Sequence, residues 1–145
     1  MNTTEKPTIQ NFHLDGVKHI IPSEAFKLVQ NKEAVIVDVR EMGEVEIETI
    51  PLENVLYHPM SVIMDRLPNI AKDQKIILVC PGGVRSTKVA YLLNRQGYPD
   101  VANLDGGLMS WREQGLPIEF NISYSAGCGC GCNTASSENK DCSSC

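Results

Sequence analysis

The sequence predicts an α/β domain with a mostly parallel central sheet and helices on both of its faces. Two observations carry this. Ala34–Val37 and Ile76–Val79 are unbroken aliphatic runs, the pattern of strands covered on both faces. Between and after them, apolar residues recur at helical spacing. Strands that alternate with helices imply crossover connections and a parallel sheet.

Element by element, Ile20-Ile21 reads as a short strand stopped by Pro22. Ser23 is placed to cap a helix, with Glu24 favoured by the dipole at its start and Ala25, Leu28 and Val29 on one face. The strand Ala34–Val37 runs into Asp38-Val39-Arg40-Glu41, and Glu41–Glu48 reads as a short acidic helical turn. Val55–Tyr57 is a short strand closed by His58-Pro59, and Met60–Leu67 a helix ended by Pro68. After Ile76–Val79, Arg85–Gln96 is a helix with Val89, Ala90 and Leu93 inward and Gly97 as its stop. Val101–Leu104 is the last strand. Asp105 is placed to cap a helix carrying Leu108 and Trp111, which ends at Gly115 with Pro117 beyond. The spacing of Trp111 from Leu108 predicts a packing role.

The chain has 145 residues, enough for one core, with 42% apolar and 21% charged residues and a net charge of −5. No block of Lys or Arg points to nucleic acid or an anionic membrane as partner. The polar start lacks a secretory pattern and no apolar run could span a bilayer, so the expectation is a soluble, cytoplasmic protein. Three regions are expected: a polar lead-in over 1–16, the domain over 17–120, and a tail over 121–145 of Gly, Ser, Asn and Cys with too little apolar material for a core. The six cysteines divide accordingly. Cys80 ends an apolar strand, and Cys128, Cys130, Cys132, Cys142 and Cys145 crowd the tail.

In open parallel sheets, ligands bind at the carboxyl ends of the strands. Arg40, His58 and Cys80 each follow an expected strand and therefore share an edge if those strands are parallel. The loop after Cys80 reads Pro81-Gly82-Gly83-Val84-Arg85-Ser86. Glycines let its backbone curl, and the helix that follows begins with N–H groups lacking intrahelical partners. The amides of Gly82, Gly83, Val84, Arg85 and Ser86 can therefore form an anion cradle centred on Cys80, with Arg85 as the nearby cation. Such surroundings favour a thiolate. The alternative for Cys80 is a buried structural thiol, which would need neither the two glycines nor the arginine.

These residues resemble the rhodanese-like sulfurtransferase family. The resemblance runs through Asp38-Val39-Arg40-Glu41, Cys80-x-x-Gly83-x-Arg85-Ser86, Val89-Ala90, Leu93, Gly97-Tyr98, and Asn103-Leu104-Asp105-Gly106-Gly107 with Trp111 and Gly115, spanning roughly Ile20 to Pro117. It implies a rhodanese-like fold in which a cysteine, here Cys80, accepts a sulfane sulfur as a persulfide and yields it to a thiol or another nucleophile. Donors would be thiosulfate or a small or protein-borne persulfide, and no cofactor is required. Two departures stand out. Pro81 follows the cysteine where many relatives carry a cation, which argues against thiosulfate as the preferred donor. Thr49-Ile50-Pro51-Leu52-Glu53 replaces the His-Ile-Pro-Gly-Ala stretch that relatives often carry. Cysteine phosphatases place five residues between Cys and Arg; the four here, Pro81 to Val84, suit a sulfur atom better than a phosphate.

Arg40 has two readings, a contact to the donor or an ion pair with Asp38, Glu41 or Glu44. Asp38 is expected to organise its loop by hydrogen bonds, and His58 to be a turn residue. The tail has three readings: thiolate ligands for zinc or Cu(I), an arm exchanging sulfur with Cys80, or an end without such a role. Two classes of function follow, a sulfurtransferase or a metal-binding and delivery protein that uses its α/β domain for docking.

Overall fold

The computed structural model describes residues 2–121, so the five tail cysteines lie outside the described residues. The elements run β1 (Lys18–Ile20), α1 (Pro22–Gln30), β2 (Val35–Asp38), α2 (Met42–Val45), β3 (Glu48–Thr49), β4 (Val55–Tyr57), α3 (Ile63–Arg66), a 3-10 turn (Leu67–Asn69), β5 (Ile76–Val79), α4 (Val84–Arg95), β6 (Val101–Leu104), α5 (Gly107–Glu113) and β7 (Glu119–Phe120). Five strands form one sheet in the order β1-β6-β5-β2-β4, and every pairing in it is parallel. The two aliphatic runs, β2 and β5, are internal neighbours, which is why neither strand shows an alternating pattern.

Strand periodicity divides the core between the two faces. Ile76, Leu78 and Cys80 point to one face, where they meet Val89, Ala90 and Leu93 of α4 and Ile63 of α3. Ile77 and Val79 point to the other, against Ala25 and Val29 of α1 and Leu108 and Trp111 of α5. Trp111 is fully buried, with Nε1 donating to the Pro117 carbonyl at 2.7 Å and Phe26 set edge-on to its ring. Among the described residues, no helix is long and apolar enough to cross a membrane.

The strand expected at Ile20-Ile21 is Lys18–Ile20, the turn expected over Glu41–Glu48 divides into α2 and β3, and three further details differ from the sequence expectation. Ser23 is not the cap of α1. The helix begins at Pro22, whose missing N–H costs nothing at a first position, and Ile21 precedes it in extended conformation. The expected helix Met60–Leu67 shortens to α3, because Pro68 is accommodated inside a 3-10 turn. Asp105 does not cap α5; Gly106, in left-handed conformation at φ 79°, occupies that position.

The Asp105 carboxylate instead collects the segment that precedes β1. It accepts from the backbone N–H groups of Thr8 at 2.7 Å, Ile9 at 3.1 and 3.2 Å and Gln10 at 2.9 Å, and from the Thr8 hydroxyl at 3.1 Å. Thr4 and His19 exchange two backbone hydrogen bonds at 2.8 Å. Residues 4–10 are thus strapped across the carboxyl ends of β1 and β6. Hydrogen bonds to an ionised group contribute about 1.5–3 kcal/mol each, less than additively. Asp105→Ala is expected to cost about 2–4 kcal/mol in chemical denaturation. It is also expected to expose residues 4–12 to limited proteolysis before the rest of the domain. Unchanged cleavage of that segment would contradict the strap.

Candidate active site

Asp38 of β2 pairs in register with Tyr57 of β4 and Val79 of β5, so Arg40, His58 and Cys80 lie on one edge of the sheet. Cys80 is 1% exposed. Its Sγ receives the Gly83 N–H at 3.0 Å and the Ser86 N–H at 3.3 Å, with the Ser86 hydroxyl also at 3.3 Å. Gly83 reaches this geometry at φ 94°, a conformation that only glycine adopts without strain. Ser86 stands in the first turn of α4, where its amide has no intrahelical acceptor. Two of the predicted cradle amides therefore meet the sulfur directly. Gly82 and Val84 are exposed at the rim, and Arg85 is partly exposed.

The loop's carbonyls are held from behind. Leu108 and Met109, in the first turn of α5, donate to the carbonyls of Cys80 at 2.9 Å and Pro81 at 3.0 Å. Gly107 makes the approach feasible, since a Cβ there would lie 2.4 Å from the Cys80 oxygen.

Arg85 grips Glu44 of α2 through two parallel hydrogen bonds, Nη1 to Oε2 at 2.8 Å and Nη2 to Oε1 at 2.7 Å. The same carboxylate accepts the Glu41 N–H at 3.0 Å. The Arg85 hydrogen bonds hold the Glu44 carboxyl at about 2, below its ordinary 4.5 and against the opposing effect of partial burial. The pKa of Arg85 is pushed up first by Glu44, with smaller contributions from Cys80 and Glu41. The sequence marks Arg85 as the cation of the site but not Glu44 as its partner; the spacing Glu41-x-x-Glu44 was the available signal, as a helix start.

Of the two readings of Arg40, the structure shows the ion pair with Asp38. Its side chain is 2% exposed, with Nε on both Asp38 oxygens at 3.0 and 3.1 Å, and Nη2 on Asp38 Oδ2 and the Glu48 carbonyl, each at 2.8 Å. It braces the turn that carries Glu44 through the Glu44 and Glu48 carbonyls. Burying a guanidinium this deeply is costly unless a carboxylate pairs with it, and Asp38 supplies that partner. His58 follows β4; burial and then Arg66 lower its pKa, and its Nδ1 is enclosed without a partner among the described residues. Sequence reasoning missed Asn103 and Gln10. The Ser86 hydroxyl makes a very short hydrogen bond to Asn103 Oδ1, and Asn103 Nδ2 donates to Gln10 Oε1 at 2.9 Å.

A cysteine at the end of a central parallel strand, with the amides of a tight loop and of a helix start directed at its sulfur, marks a class of α/β domain with an amide-lined cysteine loop. Residues 21–114 match the family model described as rhodanese-like domain, and the chain belongs to that family. It is 36% identical over 92 residues to a sulfurtransferase of Allochromatium vinosum, covering 63% of this chain and 84% of that one. It is 33% identical to a tRNA uridine(34) hydroxylase of Erwinia tasmaniensis over 68% of this chain, but spans only 30% of that protein. Among solved structures it resembles a rhodanese-like domain protein from Staphylococcus aureus, with 38% identity, TM-score 0.58, and 64% and 89% of the two chains covered. A rhodanese-related protein from Thermoplasma volcanium aligns with TM-score 0.63 and 26% identity over 70% of this chain and 96% of that one.

The lowered pKa of Glu44 fixes a pH window. A carboxyl depressed in the fold stabilises it fully above its unfolded value of 4.5, and that contribution is lost as pH falls from there toward about 2. Thermal melts of the wild type and Glu44→Gln should therefore differ most above pH 5 and converge toward pH 2. A gap that stays constant with pH would show that the pair does not set it.

Proposed function

We propose that this chain is a sulfurtransferase in which Cys80 accepts a sulfane sulfur and passes it to a thiol or another nucleophile. The observation that carries the reading is the convergence of the Gly83 and Ser86 amides on Sγ, in a loop too short for a phosphate. The kinship with a sulfurtransferase supports it.

The Cys80 thiolate attacks the outer sulfur of a persulfide donor. The S–S bond of the donor breaks, its inner thiolate leaves with the electron pair, and Cys80 carries the persulfide. With thiosulfate the leaving group is sulfite. An acceptor thiolate then attacks the outer sulfur, forms its own persulfide and returns Cys80 as thiolate. The outer sulfur extends toward the amides of Gly82, Val84 and Arg85, which stabilise its charge as an amide-lined anion site does.

Charge balance favours persulfides over thiosulfate. Arg40 is spent on Asp38, Arg85 is neutralised by Glu44, and Pro81 offers neither a charge nor an N–H. The rim beside Gly82 carries the exposed apolar side chains of Ile9 and Met109, with Glu113 as its charged group. Among the described residues a dianion finds no uncompensated cation at that rim, whereas a thiol-borne persulfide does not need one.

Two measurements test this. Incubation with glutathione persulfide should add one sulfur atom to the protein by intact mass, on the Cys80 peptide and absent in Cys80→Ala. Failure to load that peptide from any sulfane donor would remove the reading. Glu44→Gln should raise kcat/KM for thiosulfate by roughly 3- to 10-fold by freeing Arg85, with little effect on glutathione persulfide. A thiosulfate preference in the wild type would refute the charge argument alone.

A further inference from the structure

Gln10 belongs to the strap before β1, 73 positions from Gly83, and transfer chemistry as described gives it no part. Its side-chain amide is nevertheless fully engaged. Oε1 accepts the Gly106 N–H and the Asn103 Nδ2–H, both at 2.9 Å. The two N–H groups of Nε2 face three acceptors, the Phe12 carbonyl at 2.8 Å, Thr87 Oγ1 at 3.0 Å and the Gly83 carbonyl at 3.2 Å, so one N–H is shared.

Backbone groups fix which end of the amide is which. Gly106 N–H can only donate, and the carbonyls of Phe12 and Gly83 can only accept, so Oε1 and Nε2 are unambiguous. Asn103 must then turn its Nδ2 to Gln10 and its Oδ1 to Ser86. Its second N–H meets His19 Nδ1 at 3.0 Å, which must accept. His19 is therefore neutral with its proton on Nε2, facing His13 Nδ1 at 2.9 Å. Burial, then His13, lowers the His19 pKa, with Asp105 opposing.

This ordering bears on the sulfur. Ser86 has one hydroxyl proton, and Asn103 Oδ1, an amide oxygen that can only accept, takes it. The two backbone amides are then the donors available to a Cys80 thiolate. The nearer one belongs to Gly83, whose carbonyl is tied by Gln10 and by Thr87 Oγ1 at 2.5 Å. Gln10 also fills the place a side chain would occupy at Gly83, where a Cβ would fall 1.8 Å from Oε1.

We infer that Gln10 is a positioning residue for the Cys80 loop: packed against Gly83 and bonded to its carbonyl, it fixes the positive-φ conformation in which the Gly83 N–H meets Sγ. The strap is thereby part of the site, although it lies outside the stretch matched to the family. The inference deepens the sulfurtransferase reading, and its consequence for turnover rests on that reading.

The test follows iodoacetamide alkylation at the Cys80 peptide by mass spectrometry across pH, in the full chain. Gln10→Ala should move the pH profile to higher pH and slow alkylation at pH 7 by roughly 3- to 10-fold, less than the full loss of an amide hydrogen bond to a thiolate because the Gly83 N–H is loosened and not removed. Gln10→Glu should shift it the same way, since a carboxylate oxygen opposes the Gly83 carbonyl. Thr8→Val loosens the strap at Asp105 without touching the loop, and should leave the profile in place while lowering Tm. A Gln10→Ala profile superimposed on the wild type overturns the inference. So does a Thr8→Val shift equal to that of Gln10→Ala, which would reduce Gln10 to general strap stability. Should the Gln10 variants not fold, native-state hydrogen exchange of the wild type decides: the amides of Gln10 and Gly83 should open together, and independent opening overturns the proposal. Alkylation needs no sulfur donor. A protein that never loads sulfur would therefore refute the function while the role of Gln10 is still judged.

Discussion

The hydrogen bonds from Leu108 and Met109 to the carbonyls of Cys80 and Pro81 support everything else at this site. A loop that turns its amides inward must turn carbonyls outward, and here they are turned into protein rather than water. A buried carbonyl without a partner costs about 1–3 kcal/mol. Helix α5 carries the complementary deficit, since its first N–H groups have no intrahelical acceptor. Seating the start of α5 against the back of the loop satisfies both. The start of α4 meanwhile keeps the Ser86 amide free for the sulfur. Gly106 and Gly107 follow from this arrangement: one bends the chain into α5 at positive φ, and the other lets two backbones approach more closely than any side chain permits.

Two arginines near one sheet edge have opposite fates, and burial decides which. Arg40 and Asp38 are withdrawn from water together, so removing either strands a charge, at about 3–5 kcal/mol. Such a pair holds backbone in place. Arg85 and Glu44 are about one-third exposed, where a pair contributes less to stability and its charge can still be felt by a ligand. The buried pair positions the exposed one: Arg40 binds the carbonyls of Glu44 and Glu48, on the turn that presents the Glu44 carboxylate to Arg85.

The strands were legible because burial on both faces writes itself as contiguous aliphatic residues. Val55–Tyr57, Ile76–Val79 and Val101–Leu104 are observed with the limits expected of them. Cys80, Gly83, Arg85 and Ser86 were legible because a loop between a buried strand and a helix has few ways to use such residues. The β3–β7 pair was not, since two-residue strands have no periodicity to read. Nor were the partners of the polar residues. Arg40 at a strand end looks the same whether it faces a ligand or Asp38. Gln10 has no local pattern at all; its role exists only because the fold brings it beside Gly83.

Asp105 shows how tertiary structure overrules a sound local rule. An aspartate just before a helix is a good cap because the amides at the start of the helix lack acceptors. In this domain those amides are already committed to the carbonyls of Cys80 and Pro81, so the carboxylate has nothing to cap. The strap offers it three amides and a hydroxyl, all at an ionised acceptor. The competition is therefore settled by the Cys80 loop, and the consequence returns to that loop. With Asp105 holding the backbone of residues 8–10, the Gln10 side chain is delivered to Gly106, Asn103 and Gly83 at once. The carbonyls of Cys80 and Pro81 release Asp105, Asp105 holds the strap, and the strap holds the carbonyl of Gly83. The start of α5 and the strap thus both reach the sulfur through the loop, the strap by way of the Gln10 side chain.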